Sequence, residues 1–389
     1  MNNATETPPT INHRLLSIDA LRGIVMIIML IDHVRETFYL HLQVSDPMVV
    51  IETPPDLFFS RLLAHFCAPI FVFLTGLSAY LYGSKKNNAK AETTKFLLKR
   101  GVFLILLELT LINFAWTFTF PPERQFLQVI WVIGLSMIFL SIIQWLPRTS
   151  LIVLGVALVA GHNLLDNIHF SPNHGFYTLW TILHDRGWIE ISETLRARVS
   201  YPLLPWLGVI VLGYTAGGWF TSDISSTVRS KKLTQWGVGL FFGFIGLRLI
   251  NGYGDSSWWE HDTVLRTAMS FLNITKYPPS LLFILFTLSV GFLLLKILEK
   301  IQTSRWIRPF IVCGSAPMFY YVLHLYVLKV LYLFAVTIWG QNKGDYYGFD
   351  NFYSVWLMTL ILFAMLYPLV KKFSVFKSSR GDISWLKYF

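Results

Sequence analysis

Arg22, Asp32 and His33 lie in one apolar stretch, IDALRGIVMIIMLIDHVRE, which spans residues 18–36. An α-helix turns about 100° and rises about 1.5 Å per residue, so side chains eleven residues apart point within about 20° of each other and stand about 16 Å apart. Arg22 and His33 have that separation. Asp19 and Glu36 fall close to the same face, and Met26 and Met29 fill the stripe between its polar ends. A histidine flanked by Asp32 and Glu36 has the equipment of a general base, with carboxylates placed to hold its ring while it takes a proton from a hydroxyl or an amine. The plainer reading is a charged helix end meeting water. Arg22 likewise has two readings. It pairs with Asp19, three residues earlier on the same face, or it binds phosphate.

The elements that must position these groups are set by composition. The chain has 389 residues, 54% of them hydrophobic and 14% charged, with a mean hydropathy of +0.53. Soluble domains carry roughly 25% charged residues. Apolar runs long enough to cross a hydrocarbon core recur along the whole chain. The expected fold is therefore all-α, a polytopic transmembrane helix bundle of about ten spans: 16–39, 57–83, 96–117, 126–146, 150–165, 201–221, 234–252, 279–298, 309–336 and 353–370. The first span is too long for a signal-peptide core. Lys85, Lys86, Lys90, Lys95, Lys99 and Arg100, then Arg229, Lys231 and Lys232, then Lys296, Lys300, Arg305 and Arg308, crowd alternate loops. The positive-inside rule then places both termini in the cytoplasm. The division expected is a cytoplasmic polar tail over 1–14, a membrane domain over 15–372 and a basic, aromatic cytoplasmic tail over 373–389. The net charge of +10 is read as a topology signal, with no nucleic-acid partner. Cys67 and Cys313 are read as packing residues at different depths.

Ionisable residues within spans are costly and usually serve a site or a pathway. Arg61 and His65 form an i, i+4 pair, followed by Pro69, which would kink the second span. Glu108 calls for a partner. Tyr320 and His324 face one way and either line a cavity or bond another helix. Arg248, Asn251, Asn273, Lys276 and Tyr277 gather at the outer end of the seventh span and the loop after it, where they either bind a polar acceptor or cap a helix. No phosphate-binding glycine loop and no metal-ligand spacing occurs, so no metal and no permanently bound cofactor is expected.

These residues carry a resemblance. RLLSIDALRGIVMIIMLIDH resembles the first helix of transmembrane acyltransferases, in which an Arg, ten residues and a His form a shared motif that Arg22 and His33 fit. RLLAHFCAPIFVFLTGLSAYLYG, YPLLPWLGVIVLGYTAGGWF, SFLNITKYPPSLLF and APMFYYVLHLYVLKVLY are similar to a bacterial branch of the heparan-α-glucosaminide N-acetyltransferase-like family. The resemblance covers nearly the whole chain. It implies a multi-helix enzyme of the bacterial inner membrane that takes acyl-CoA as co-substrate and passes the acyl group to a sugar hydroxyl or amine of an envelope saccharide or glycolipid on the far side. It implies His33 as the catalytic histidine by position; in the reading favoured from the residues, Asp32 assists it and His33 acts as base or transient acyl carrier. Arg22 and Asp19 would stand at the donor, and Arg61, His65, Arg248, Asn251, Asn273, Lys276, Tyr277 and His324 at the acceptor. The heparan-acetylating enzymes carry Asn in place of His33 and a His in the following loop, near where His41 lies, so both histidines stay candidates. A proton-coupled exporter of an envelope sugar, lipid or small anion is the rival reading, and a non-catalytic membrane partner is a third. Partners expected are the lipid bilayer, acyl-CoA and the acceptor, with a homo-oligomer left open.

Overall fold

The computed structural model describes residues 15–380, 382–383 and 385–389. The tail expected over residues 1–14 lies outside them. The described chain is mostly helical. In order, α1 is Leu16–Phe38, α2 Pro55–Ala64, α3 Cys67–Gly83 and α4 Ala89–Leu107. A π-turn, Glu108–Ile112, continues α4 into α5, Asn113–Thr117. Then come α6 Val129–Ile143, α7 Arg148–Gly161, α8 Tyr177–Leu183, α9 Leu203–Ala216, α10 Ser226–Ile250 and α11 Val264–Leu272. The last four are α12 Leu281–Ile301, α13 Arg308–Ser315, α14 Pro317–Trp339 and α15 Tyr353–Ser379.

Among the described residues, six rods are long and apolar enough to cross a membrane: Pro55–Gly83, Arg148–Leu165, Ser226–Ile250, Leu281–Ile301, Pro317–Trp339 and Tyr353–Ser379. Val129–Ile143 and Leu203–Trp219 are apolar but shorter. Large apolar side chains such as Phe242, Ile250, Leu360 and Met365 face outward from α10 and α15. Lipid is the solvent for such a surface, and helices that satisfy their own backbone can lie in it. This is a multi-pass membrane protein.

Two expected spans are broken, each beside a proline. The second divides into α2 and α3 at His65 and Phe66. Pro69 then falls in the first turn of α3, where a missing N–H leaves no intrahelical bond unmade. The ninth divides into α13 and α14 at Ala316, which has φ −134° and ψ 56°. Pro317 follows, and its ring disfavours a helical conformation in the residue before it.

The all-α expectation also lacks a small three-stranded sheet. Strands β1 (Arg124–Leu127), β2 (Gly187–Glu190) and β3 (Arg196–Val199) run in the order β1-β3-β2. The β1–β3 pair is parallel, with Arg124 opposite Arg196, and the β2–β3 pair is antiparallel, with Gly187 opposite Val199. Each strand has only four residues, too few for a period-two pattern to stand out.

Helix α1 sits inside the bundle, touching α2, α3 and α12 to α15. Its closest neighbour is α13. There Gly23 lies against the Phe310 carbonyl, and Gly314 lies against the Asp19 carbonyl. Small residues let two helix backbones approach in this way. Gly76 of α3 makes a similar approach to the Ile210 carbonyl of α9.

Candidate active site

The polar face of α1 has two ends with different surroundings. At the N-terminal end, Arg22 Nη1 donates to Asp19 Oδ1 at 3.3 Å, so the local pairing is made. Arg22 Nη2 also donates to the Leu74 carbonyl at 3.4 Å and to the Ser78 hydroxyl on α3. This end opens into a cavity of about 1400 Å³, above the roughly 300–1,000 Å³ of an ordinary small-ligand pocket. Arg22, Lys85, Lys86, Arg100, Arg148, Arg229, Lys232 and Lys377 line it, with Asp19 and Asp223 as its acidic residues. Farther along α1, Met26 and Met29 line it, and Met318 and Tyr321 of α14 do so as well. The thioether stripe of the sequence is therefore part of the cavity wall.

His33 stands just beyond the Tyr321 end. Its ring meets Tyr321 edge-on at 6.0 Å between centroids and Trp116 at 5.2 Å. Its Nδ1 lies 2.7 Å from Nε2 of His324 on α14. The two imidazoles are tilted by only 14° with centroids 5.0 Å apart, so they meet edge to edge. The partner of His33 is this second histidine.

Asp32, expected to hold the His33 ring, is engaged elsewhere. Its Oδ1 accepts from Arg35 Nε at 3.0 Å and Nη2 at 2.8 Å. Its Oδ2 accepts from Arg61 Nη1 at 3.1 Å, with Lys276 Nζ 4.0 Å away. The reason is geometric. Arg35 is one turn along the same face, and three buried cations compete for one carboxylate. Glu36 also takes a hydrogen bond from Arg35, at 3.2 Å. Arg61 reaches towards Asp46 at 4.0 Å and lies 5.8 Å from the Tyr277 ring. Lys276 covers the same ring at 4.9 Å. The Tyr277 hydroxyl meets that of Tyr201 at 3.1 Å. His65, one turn beyond Arg61, is buried, its Nδ1 has no hydrogen-bond partner among the described residues, and its ring packs edge-on against Phe283.

The remaining residues that the sequence reading placed at the acceptor hold loops. The buried Arg248 guanidinium donates to the carbonyls of Phe271, Ser256, Ser270 and Asn273 at 2.7–3.0 Å. Asn251 caps α10 in the left-handed region at φ 55° and bonds the Trp258 backbone both ways. Asn273 does the same to Met48. These donors and acceptors are already satisfied by backbone. His41 packs on Tyr39 and Gly348 in the loop after α1.

Glu108 begins the π-turn, a geometry frequent at functional sites. Its Oε2 accepts from the Trp131 N–H at the start of α6, at 3.1 Å. The Glu108 carbonyl accepts the Asn113 backbone N–H across the wider turn, and the Asn113 side-chain amide donates to the same carbonyl at 2.7 Å. This turn carries α5 and Trp116 to the His33 ring. Trp116 and Tyr321 were not singled out from sequence, while Arg35 was read only as part of a charged helix end and Ser78 as a small packing residue. Of these, Tyr321 had a signal, because it lies three residues before His324 on the same helix.

Residues 14–254 match the family profile described as heparan-alpha-glucosaminide N-acetyltransferase, catalytic. The match spans α1 to α10, and so includes Arg22 and His33 but not His324. None of the curated proteins compared matches the chain.

Proposed function

Because the chain belongs to the heparan-alpha-glucosaminide N-acetyltransferase family, we propose that it moves an acetyl group from cytoplasmic acetyl-CoA to a sugar hydroxyl or amine across the bacterial inner membrane. The observation that carries this reading is the cavity. Its wall gathers Arg and Lys side chains that suit the phosphates of CoA, and Arg is well shaped for that task. Met26, Met29 and Met318 make part of the same wall apolar and polarisable, and Tyr321, which also lines it, packs on the His33 ring. The rise along α1 from Arg22 to His33, about 16 Å, is of the order that a pantetheine arm spans.

In this reading both termini are cytoplasmic and the chain crosses about ten times, with α1 and the α4–α5 rod added to the eight apolar rods. His33 acts as general base on the acceptor, or accepts the acetyl group first. The ion network around Asp32 fixes the His33 end of α1 and offers Lys276 and Tyr277 to an envelope saccharide or glycolipid. Asp32 then serves by position, holding Arg35 and Arg61, and Arg248, Asn251 and Asn273 shape the outer loop.

The test is label transfer. Purified protein with radiolabelled acetyl-CoA and glucosamine is expected to yield labelled sugar, or slow hydrolysis, and His33→Ala is expected to abolish both. Full activity in that variant overturns the assignment of His33. Sugar movement into liposomes without any acyl transfer moves the protein to the exporter reading.

A further inference from the structure

The ring beside His33 determines which of its nitrogens is available. His324 is fully buried, and its Nδ1 lies 2.9 Å from the Tyr320 carbonyl one turn back on α14. A carbonyl oxygen only accepts, so Nδ1 of His324 carries the proton. A neutral imidazole has one donor and one acceptor nitrogen. Nε2 of His324 is then a lone pair, and it lies 2.7 Å from Nδ1 of His33. Two lone pairs do not share that distance, so Nδ1 of His33 carries a proton and donates it. The nitrogen left without a proton is Nε2 of His33. The opposite polarity requires a doubly protonated His324. That would be a buried charge with no hydrogen-bonded carboxylate at either ring among the described residues, and such a charge is strongly disfavoured.

We propose that His324 is a positioning residue that fixes the tautomer of His33, so that Nε2 of His33 is the atom that takes the proton from the acceptor. The proposal rests on the reading of His33 as general base. In serine-protease triads a buried carboxylate holds the catalytic imidazole in this way; here a neutral histidine does so, since Asp32 is held by Arg35 and Arg61. Trp116 and Tyr321 pack edge-on and keep the ring from turning. The proton balance closes. The acceptor oxygen or nitrogen bonds to the thioester carbonyl carbon, the carbon–sulfur bond breaks, and the acceptor proton passes through Nε2 of His33 to the departing sulfur. While His33 holds two protons, its Nδ1–H remains donated to His324.

Two variants separate positioning from packing. His324→Gln retains a carbonyl oxygen that can accept from Nδ1 of His33, whereas His324→Leu retains bulk without an acceptor. With full-length protein in liposomes, acetyl-CoA and glucosamine, His324→Leu is expected to lower kcat on the order of 100-fold, the scale of lost acid–base catalysis. KM for acetyl-CoA should stay unchanged, and His324→Gln should recover most of the loss. A second readout needs no activity. In protein labelled with ¹⁵N-histidine, the His33 signals, identified by their absence in His33→Ala, should report a protonated Nδ1 in wild type and in His324→Gln, and lose that pattern in His324→Leu. A proton on Nε2 of His33 in wild type, or wild-type kcat in His324→Leu, overturns the proposal. If His33→Ala keeps full activity the reading of His33 as base fails instead, and the nitrogen spectra still decide the tautomer.

Discussion

Asp32 and Arg61 meet at 3.1 Å between α1 and α2, with each side chain less than a tenth exposed. Arg35 holds the other carboxylate oxygen at 2.8 Å. Removing one member of a buried pair strands the other charge, which typically costs about 3–5 kcal/mol. Arg61→Met is therefore expected to lower the apparent melting temperature of the detergent-solubilised protein by several degrees. Asp32→Asn is expected to lower it further, because it leaves Arg35, Arg61 and Lys276 without the carboxylate they share, whereas Arg61→Met leaves Asp32 still held by Arg35. Thermal unfolding followed by intrinsic tryptophan fluorescence measures both. Equal melting of Arg61→Met and wild type would show that the pair does not hold α1 to α2.

At the other end of the same helix, Arg22 faces the cavity while anchored to Asp19 and Ser78. A charge-assisted hydrogen bond contributes about 1.5–3 kcal/mol, which corresponds to roughly 10–100-fold in affinity. Arg22→Gln is expected to raise KM for acetyl-CoA by about that factor with kcat little changed, because it acts on binding rather than at the transfer centre. Titrating acetyl-CoA in a steady-state assay checks this. A fall in kcat at unchanged KM would place Arg22 in the chemistry instead.

What was legible in the sequence follows from what helical periodicity can encode. The Arg22–Asp19 pair and the Met26–Met29 stripe lie within one helix, where spacing alone fixes direction. The His33–His324 contact joins residues 291 positions apart, and no local pattern specifies it. Tyr320 stood out for its i, i+4 relation to His324, yet it is the Tyr320 carbonyl that bonds His324, and the neighbouring Tyr321 lines the cavity. Arg35 was read with the charged helix end, but burial makes it a principal partner of Asp32. Arg248 shows the converse. A cation in an apolar run suits either a ligand or a loop, and only the four carbonyls around it decide for the loop.

The crossing of α1 and α13 gives a prediction about packing. A Cβ on Gly314 would meet the Asp19 carbonyl, and one on Gly23 would meet the Phe310 carbonyl. Both obstacles are backbone, which has little room to yield in a close-packed interior. Gly314→Ala is expected to destabilise the protein by about 1–3 kcal/mol or more and to reduce acetyl-CoA affinity, because separating the helices moves Asp19 and Arg22 together. Melting temperature and KM report the two effects. A variant with normal melting and normal KM would show that the crossing can relax without disturbing the cavity.

The segment between α7 and α9 carries a pH dependence through His184. Its Nε2 lies 3.3 Å from Asp166 Oδ1 and 3.0 Å from the His162 carbonyl, and its Nδ1 lies 3.1 Å from Asp185 Oδ1. Both ring nitrogens thus face acceptors, which suits the doubly protonated ring. Burial opposes that charge, but the hydrogen bonds to Asp166 and Asp185 outweigh it and hold the pKa above the ordinary 6.5. A raised folded-state pKa contributes stability that is complete below the unfolded value and is lost as pH rises through the folded value. Burial likewise opposes the Asp166 carboxylate, while the hydrogen bonds from His184 and Asn163 and the nearby His184 and His162 charges together outweigh it and keep its pKa below the ordinary 3.8, so its contribution is lost only at acid pH. Protection of the α8 segment against hydrogen exchange, corrected for the intrinsic rate, is therefore expected to be greatest near about pH 6 and to decline towards about pH 8, across the range where histidine titrates. His184→Gln should show less protection at the lower pH and little dependence between the two. A wild-type profile that rises with pH would mean that the ring is neutral in the folded loop, with its acceptors served by other donors.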